Sequence, residues 1–296
     1  MFFGLLVLGV ISILFWGGIT FFISSIGFQK EKPDLFGAKN GIGVIELKGI
    51  LVSSEETIAD LTEFRDDDSI KAIVVRIDSP GGAVGASQEI FAEIKRTDEV
   101  KPVIASMASV AASGGYYAAL GARRIMANPG TLTGSIGVIL KFANLEEIFD
   151  KIGYKSEVIK SGRLKDIGSA SRDMTQEEKD LLQALIDNVH SQFIKDVSSG
   201  RKLPVEDVVR LADGRIYSGE QALQLGLLDS LGNFTDAANL AAKLAGLDPT
   251  KTPSLIYPRQ RNFSLYSLLT GEEGQAKLAG LFGHYPALVY EWNMFH

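Results

Sequence analysis

Val103-Ile104-Ala105-Ser106-Met107-Ala108-Ser109-Val110-Ala111-Ala112-Ser113-Gly114-Gly115-Tyr116-Tyr117 is an apolar run that ends on a serine followed by two glycines. Its first five residues predict a strand, and a helix is expected over about 113–120. A serine at a glycine-rich turn between strand and helix is a position at which a hydrolase presents a nucleophile. The helix start would expose the hydroxyl, Gly114 would let the backbone approach a ligand, and the first amides favour developing negative charge. The plainer alternative is that Ser113 caps the helix while Gly114 and Gly115 let two elements pack.

On either side of this run, further strands are expected at 44–47, 72–77 and 124–127, with a helix at 84–96 that spaces Ile90, Phe91 and Ile94 along one face. Near-continuous apolar strands separated by single helices point to parallel βαβ units with helices on the sheet faces. The second half is helical. Thr175-Gln176-Glu177-Glu178 has the form of a capping box and opens a helix to about residue 199, with Leu181, Leu185, Val189 and Phe193 along one face. Shorter helices are expected at 205–212, 219–225 and 234–244. Beyond Pro249 the period weakens, short helices at 265–269 and 278–281 aside, and the chain shows no internal repeat or low-complexity tract.

The N-terminus differs from the rest. Phe2 to Gln29 contains no ionisable side chain, and the first charge is Lys30. About 20 helical residues cross a ~30 Å hydrocarbon core, so residues 1–26 read as a transmembrane anchor. The basic start, short apolar core and small-residue cleavage site of a removable leader are missing. Residues 27–40 form a polar, turn-rich linker, 41–248 the globular domain, and 249–296 a tail of open role. Lys30 and Lys32 by themselves favour a cytoplasmic side for the chain beyond the anchor. The net charge of −6 argues against nucleic acid as the main partner. No cysteine is present, which excludes disulfides, thiolate metal sites and a cysteine nucleophile. His190, His284 and His296 are scattered without metal-ligand spacing.

If Ser113 is a nucleophile it needs a base. A histidine triad would have to use one of those three residues, and His190 lies in the long helix beside Val189, where a packing role is expected. Lysine is the remaining candidate. Its ordinary pKa of about 10.4 leaves almost none neutral at pH 7, and burial is what lowers it. Lys160 and Lys165, within Lys160-Ser161-Gly162-Arg163-Leu164-Lys165-Asp166, both qualify, and residue chemistry alone leaves the choice open. Ser79-Pro80-Gly81-Gly82 comes after a predicted strand and could offer an amide to an oxyanion together with Gly114; otherwise it is a Pro-Gly turn. Ser135, after Gly134, could orient an amine; otherwise it is a turn serine.

Four motifs together, Ala112-Ser113-Gly114-Gly115-Tyr116-Tyr117, Ser79-Pro80-Gly81-Gly82, Leu132-Thr133-Gly134-Ser135-Ile136-Gly137-Val138 and Ser161-Gly162-Arg163-Leu164-Lys165-Asp166, closely resemble the bacterial signal peptide peptidase A family in its short form. The similarity runs over about 41–246. The resemblance implies an α/β fold of the Clp protease/crotonase type, a repeated β-β-α core with a helical C-terminal part, preceded by one transmembrane helix. It implies Ser113 as nucleophile, Lys165 as general base, Ser135 as the residue orienting the lysine, and Gly82 and Gly114 as oxyanion-hole amides. It implies a serine endopeptidase without metal or cofactor, acting on remnant signal peptides and other small apolar peptides. A homo-oligomeric ring, expected as an octamer, would pair serine and lysine across neighbouring subunits. The protease domain would sit on the extracytoplasmic side of the cytoplasmic membrane, held to the bilayer by the N-terminal helix, against the lysine bias. Two rivals are a crotonase-like acyl-CoA enzyme and a non-enzymatic ring-forming membrane scaffold.

Overall fold

The structure is a computed structural model that describes residues 40–259 and 289–291. The expected anchor at 1–26, all but the last residue of the 27–40 linker, and the expected helices at 265–269 and 278–281 lie outside the described residues. Among the described residues no helix is long and apolar enough to cross a membrane.

Strands and helices alternate at first: β1 (Gly41–Leu51), α1 (Glu55–Asp66), β2 (Ile70–Ala83), α2 (Val84–Val100), β3 (Val103–Ala112), α3 (Gly114–Ala119) and then β4 (Arg124–Ala127) and β5 (Leu132–Gly134). The second half carries α4 (Glu146–Ile152), α5 (Gln176–Arg201), α6 (Val205–Leu211), β6 (Ile216–Ser218), α7 (Gly219–Gln224), β7 (Ser230–Leu231) and α8 (Phe234–Leu244). Two short strands complete it, β8 (Leu255–Ile256) and β9 (Val289–Glu291).

One sheet joins all nine described strands: six follow the order β6-β5-β3-β2-β1-β8, while off this path β4 pairs with β3 and β7, and β9 with β2. The central pairs β1–β2 and β2–β3 are parallel, with Val44 opposite Val74 and Val74 opposite Ile104. On its other side β3 is shared. Its first half, Ile104 to Met107, pairs with β4, and its last residues, Val110 to Ala112, pair with β5.

Side chains of a strand alternate between faces, so a sheet covered on both sides needs apolar residues at every position. β2 shows this. Ile73, Val75 and Ile77 enter the larger core with Ile90, Ile94, Tyr116, Tyr117 and Phe193, while Ala72 and Val74 enter a second core. That second core is closed by Ala237, Ala238, Ala241 and Ala242 of α8, whose small side chains let the helix lie close to the sheet. α8 begins where Asn233 accepts hydrogen bonds from the Thr235 and Asp236 amides.

The capping box at α5 is present: the Glu178 amide donates to the Thr175 hydroxyl at 3.2 Å and the Thr175 amide donates to the Glu178 carboxylate at 2.9 Å. The apolar stripe expected along this helix is only half buried. Val189 and Phe193 are in the core, but Leu181 and Leu185, in the first turns of α5, are 49% and 44% exposed. Helix α1, which the sequence reading leaves out, buries Leu61 and Phe64 against the larger core.

Candidate active site

The ends of three parallel strands build the site. β3 holds β5 through Ala112 opposite Gly134, and the buried hydroxyls of Thr131 and Thr133 lock the pairing by donating to the Ala108 and Ala111 carbonyls at 2.7 Å each. Ser113 and Ser135 are each the next residue along, so they leave adjacent parallel strands side by side, about 5 Å apart by strand spacing. The Ser113 amide donates to the Gly134 carbonyl at 2.8 Å and the Ser135 amide to the Arg215 carbonyl at 2.8 Å.

Ser113 sits at φ 52°, ψ −115°, outside the ordinary wells for an L-residue. A backbone held there costs on the order of 1–3 kcal/mol and persists only where the surroundings enforce it. Those surroundings are α3. The Tyr117 amide donates to the Ser113 carbonyl at 2.8 Å, and Tyr116 is fully buried with its hydroxyl donating to the Leu227 carbonyl at 2.8 Å. The Tyr117 ring packs edge-on to Phe91 and Phe193, with centroids 5.3 and 4.8 Å away, and its hydroxyl bonds Asp196. The Ser113 side chain makes no capping hydrogen bond to α3. The capping alternative therefore fails on geometry. The sharp strand-to-helix turn with a hydroxyl that does not cap the helix is the form of a nucleophile elbow. The expected exposure of Ser113 also fails, since the residue is only 1% exposed.

Gly82 stands next to this turn. The Ser79 hydroxyl, completely buried, donates to the Gly49 carbonyl at 2.6 Å and accepts from the Gly81 amide at 3.1 Å, which pins the Ser79-Pro80-Gly81-Gly82 turn. A Cβ on Gly82 would lie 2.2 Å from the Leu51 carbonyl oxygen, so no larger residue fits against β1. A Cβ on Gly114 would lie 3.1 Å from the Gly82 nitrogen and 2.4 Å from the Ser87 hydroxyl. Gly82 and Gly114 are thus in close backbone approach beside Ser113. Ser79 and Ser87 are contributions the sequence reading missed; Ser79 was visible as the first residue of the Pro-Gly motif, whereas nothing marked Ser87.

Lys165 is not joined to these residues. It lies in the long segment between α4 and α5, exposed, its amide donating to the Gly162 carbonyl at 3.1 Å. No hydrogen bond links its side chain with Ser113 or Ser135 among the described residues. The segment is nevertheless anchored. Lys160 pairs with Asp166, and Arg172 bridges Asp166 and Glu178 with bonds of 3.1 Å to Asp166 Oδ2 and 2.9 Å to Glu178 Oε2. Hydrogen bonding from Arg172, and then from Lys160, holds the Asp166 carboxyl far below its usual range. Arg172, followed by the Thr175 amide, brings Glu178 down to about 2. Lys160 is therefore committed to an ion pair, while the Lys165 ammonium has no such partner among the described residues. His190 is half-buried on α5 with Nε2 buried and unpaired among the described residues, in keeping with the packing role expected of it.

A parallel α/β sheet with a strained serine and paired glycine amides at the strand ends is the frame of a serine hydrolase. The family model for peptidase family S49 matches residues 95–248. A putative protease of Synechocystis sp. is 49% identical over 220 residues, 74% of this chain and 79% of that protein. The chloroplastic serine protease SPPA of Arabidopsis thaliana is 35% identical over 77% of this chain, which spans only 34% of the plant protein's length. Among solved structures, a mutant of the 1510-N membrane-bound stomatin-specific protease aligns with TM-score 0.51 at 17% identity, over 76% of this chain and 100% of that one, a likeness of fold. The chain belongs to peptidase family S49 and is a serine protease of the signal peptide peptidase A kind.

Proposed function

We propose that this protease is a membrane-anchored endopeptidase of the Clp protease/crotonase type that degrades remnant signal peptides and other small apolar envelope peptides through a Ser113/Lys165 dyad. The observation that carries the reading is Ser113, held in a strained turn with its hydroxyl free of any cap and two glycine amides beside it. Neutral Lys165 takes the hydroxyl proton and the oxygen attacks a peptide carbonyl. The Gly82 and Gly114 amides stabilise the oxyanion, and the lysine returns its proton to the leaving amine. Water then hydrolyses the acyl-enzyme. Ser135, adjacent to Ser113 at the end of β5, orients the amine of the lysine.

The exposure of Lys165 favours a shared site. A general-base lysine needs desolvation, and among the described residues of one chain Lys165 is exposed. Helix α4 and the Lys165 segment also display Ile148, Ile152, Tyr154, Val158 and Ile159, which are 55%, 69%, 54%, 51% and 103% exposed. An apolar face of this kind suits a subunit contact. A homo-oligomeric ring, expected as an octamer, would bury that face and deliver Lys165 of one subunit to Ser113 of the next. Residues 1–26 would tether the ring to the cytoplasmic membrane with the protease domain outside the cytoplasm, near apolar peptides left in the bilayer. The test is labelling with a serine-reactive fluorophosphonate and then mapping of the adduct. The reading expects the label on Ser113 and its loss in Lys165→Ala; an adduct on another serine overturns it.

A further inference from the structure

Helix α3 has six residues, too few to hold a helix by its own hydrogen bonds. No side chain caps its start, and the strained Ser113 immediately precedes it. The orientation of the Ser113 turn is therefore set by what grips α3 from outside. Two consecutive tyrosines provide that grip, about 100° apart around the helix. Tyr116 is held within the core through the Leu227 carbonyl. Tyr117 reaches toward α2 and α5, its ring edge-on to Phe91 and Phe193 and its hydroxyl donating to the Asp196 carboxylate.

Tyr117 also bears directly on the turn. Its amide donates to the Ser113 carbonyl at 2.8 Å. That carbonyl and the Gly114 N–H belong to one trans peptide plane, in which C=O and N–H point in opposite directions. With the carbonyl drawn into α3, the Gly114 N–H is aimed outward from the helix start, as an oxyanion donor must be. Asp196 is half-buried on α5, three residues after Phe193 and hence on the same face of that helix. One helix thus holds both the ring and the hydroxyl of Tyr117. A carboxylate acceptor makes that bond about twice as strong as a neutral one.

We propose that Asp196 is a positioning residue for catalysis: by holding the Tyr117 hydroxyl it fixes the peptide plane that offers the Gly114 N–H to the oxyanion. The inference rests on the Ser113 reading, with the Gly114 amide as an oxyanion donor, and adds a remote residue to that device. The oxyanion develops only on the way through the transition state. Loosening its donor therefore lowers kcat and leaves the binding of substrate unchanged. Deleting a donor costs about 10²–10³ in kcat, and a donor turned partly away costs a share of that.

The test measures cleavage of a fluorogenic apolar peptide by Asp196→Ala, Asp196→Asn and Tyr117→Phe. Rates are divided by the number of sites that a fluorophosphonate labels at completion, so that unfolded chains do not count. Asp196→Ala and Tyr117→Phe are expected to lose about tenfold in kcat at unchanged KM. Asp196→Asn, whose amide oxygen still accepts, should recover most of that loss. A peptide aldehyde, whose adduct with Ser113 places an oxygen against the same amides, should bind the two impaired variants about tenfold more weakly. The matching peptide alcohol, which forms no adduct, should bind them as before. A merely structural Asp196 would lower Tm and the number of labelled sites, but not the rate per site or the aldehyde-to-alcohol ratio. That result overturns the proposal, as does an asparagine variant no better than alanine. If Asp196→Ala does not fold, Tyr117→Phe, which keeps the ring, decides. Ser113→Ala is run beside them; if it still cleaves, the Ser113 reading fails, whereas a dead Ser113→Ala with full kcat in Asp196→Ala condemns Asp196 alone.

Discussion

Gly114→Ala puts a methyl group where the structure has almost no room. The new Cβ would lie 2.4 Å from the Ser87 hydroxyl oxygen, 3.1 Å from the Gly82 nitrogen and 3.2 Å from the Gly81 Cα. The first contact is roughly 1 Å inside ordinary van der Waals separation. Ser87 is completely buried and donates to the Ala83 carbonyl at 3.0 Å. Pushing it aside sacrifices that bond and strains the packing, about 1–3 kcal/mol in sum. For a domain of this size that lowers Tm by roughly 2–12 °C. The second contact bears on catalysis. Relieving it moves the Gly82 and Gly114 amides apart by a few tenths of an ångström to about 1 Å, and displacement on that scale costs about a hundredfold in kcat. Ser87→Ala separates the two effects, since it removes the oxygen and leaves the glycine approach as tight as before. The double variant Ser87→Ala/Gly114→Ala is expected to recover most of the Tm of Ser87→Ala while kcat stays depressed by about a hundredfold. Thermal melts and steady-state cleavage of a fluorogenic peptide measure both. Recovery of kcat together with Tm would refute the role of the Gly82–Gly114 approach as an oxyanion device. Gly85→Ala, a nearby position with open space around its Cβ, serves as the control and should leave kcat unchanged.

Two lysines in one segment should behave oppositely. Lys165→Ala is expected to reduce kcat by at least ~10³-fold, whereas Lys160→Ala removes only an ion pair to Asp166 and costs less than about tenfold; equal losses in the same peptide assay would undo the assignment of the base. The Arg172 cluster predicts acid sensitivity. Glu178 is brought down from 4.5 to about 2 by Arg172 hydrogen bonding and then the Thr175 amide, so its stabilisation is complete above about pH 4.5 and is lost as pH falls toward 2. Thermal melts across that window should show a shallower decline for Glu178→Gln, and an identical decline would count against it. Tyr116→Phe leaves the Leu227 carbonyl without its buried donor and should destabilise by about 1–3 kcal/mol in denaturant melts; an unchanged midpoint would show that α3 is held by other contacts.

Much of the sheet was legible because its strands are buried on both faces and so read as continuous apolar runs. β4 and α8 have the bounds that the sequence predicts, 124–127 and 234–244. Helix α1 was less visible because it presents one narrow stripe, Ile58, Leu61 and Phe64, among charged residues. β5, β6, β7 and β9 are two or three residues long, too short for any period. The stripe on α5 shows the opposite failure: periodicity finds Leu181 and Leu185 on the apolar face but says nothing of where the cover ends. At the site, the glycines and serines were legible as motifs. The φ of Ser113, its missing cap and its burial depend on β5 and α3 and could not be read from spacing. The Lys160–Asp166 ion pair, a contact six residues along, was not legible, because sequence chemistry permits several partners for either lysine.

Whether Ser113 works with a lysine from a neighbouring copy is decided by subunit mixing. Ser113→Ala and Lys165→Ala are purified separately, dissociated, mixed in equal amounts and reassembled, and peptide cleavage is measured. Each variant alone should be inactive. Mixed oligomers are expected to regain activity at those interfaces where an intact serine meets an intact lysine, about a quarter of the wild-type value for random mixing of dyads shared between two subunits. Full exchange of subunits with no regained activity would contradict the shared dyad.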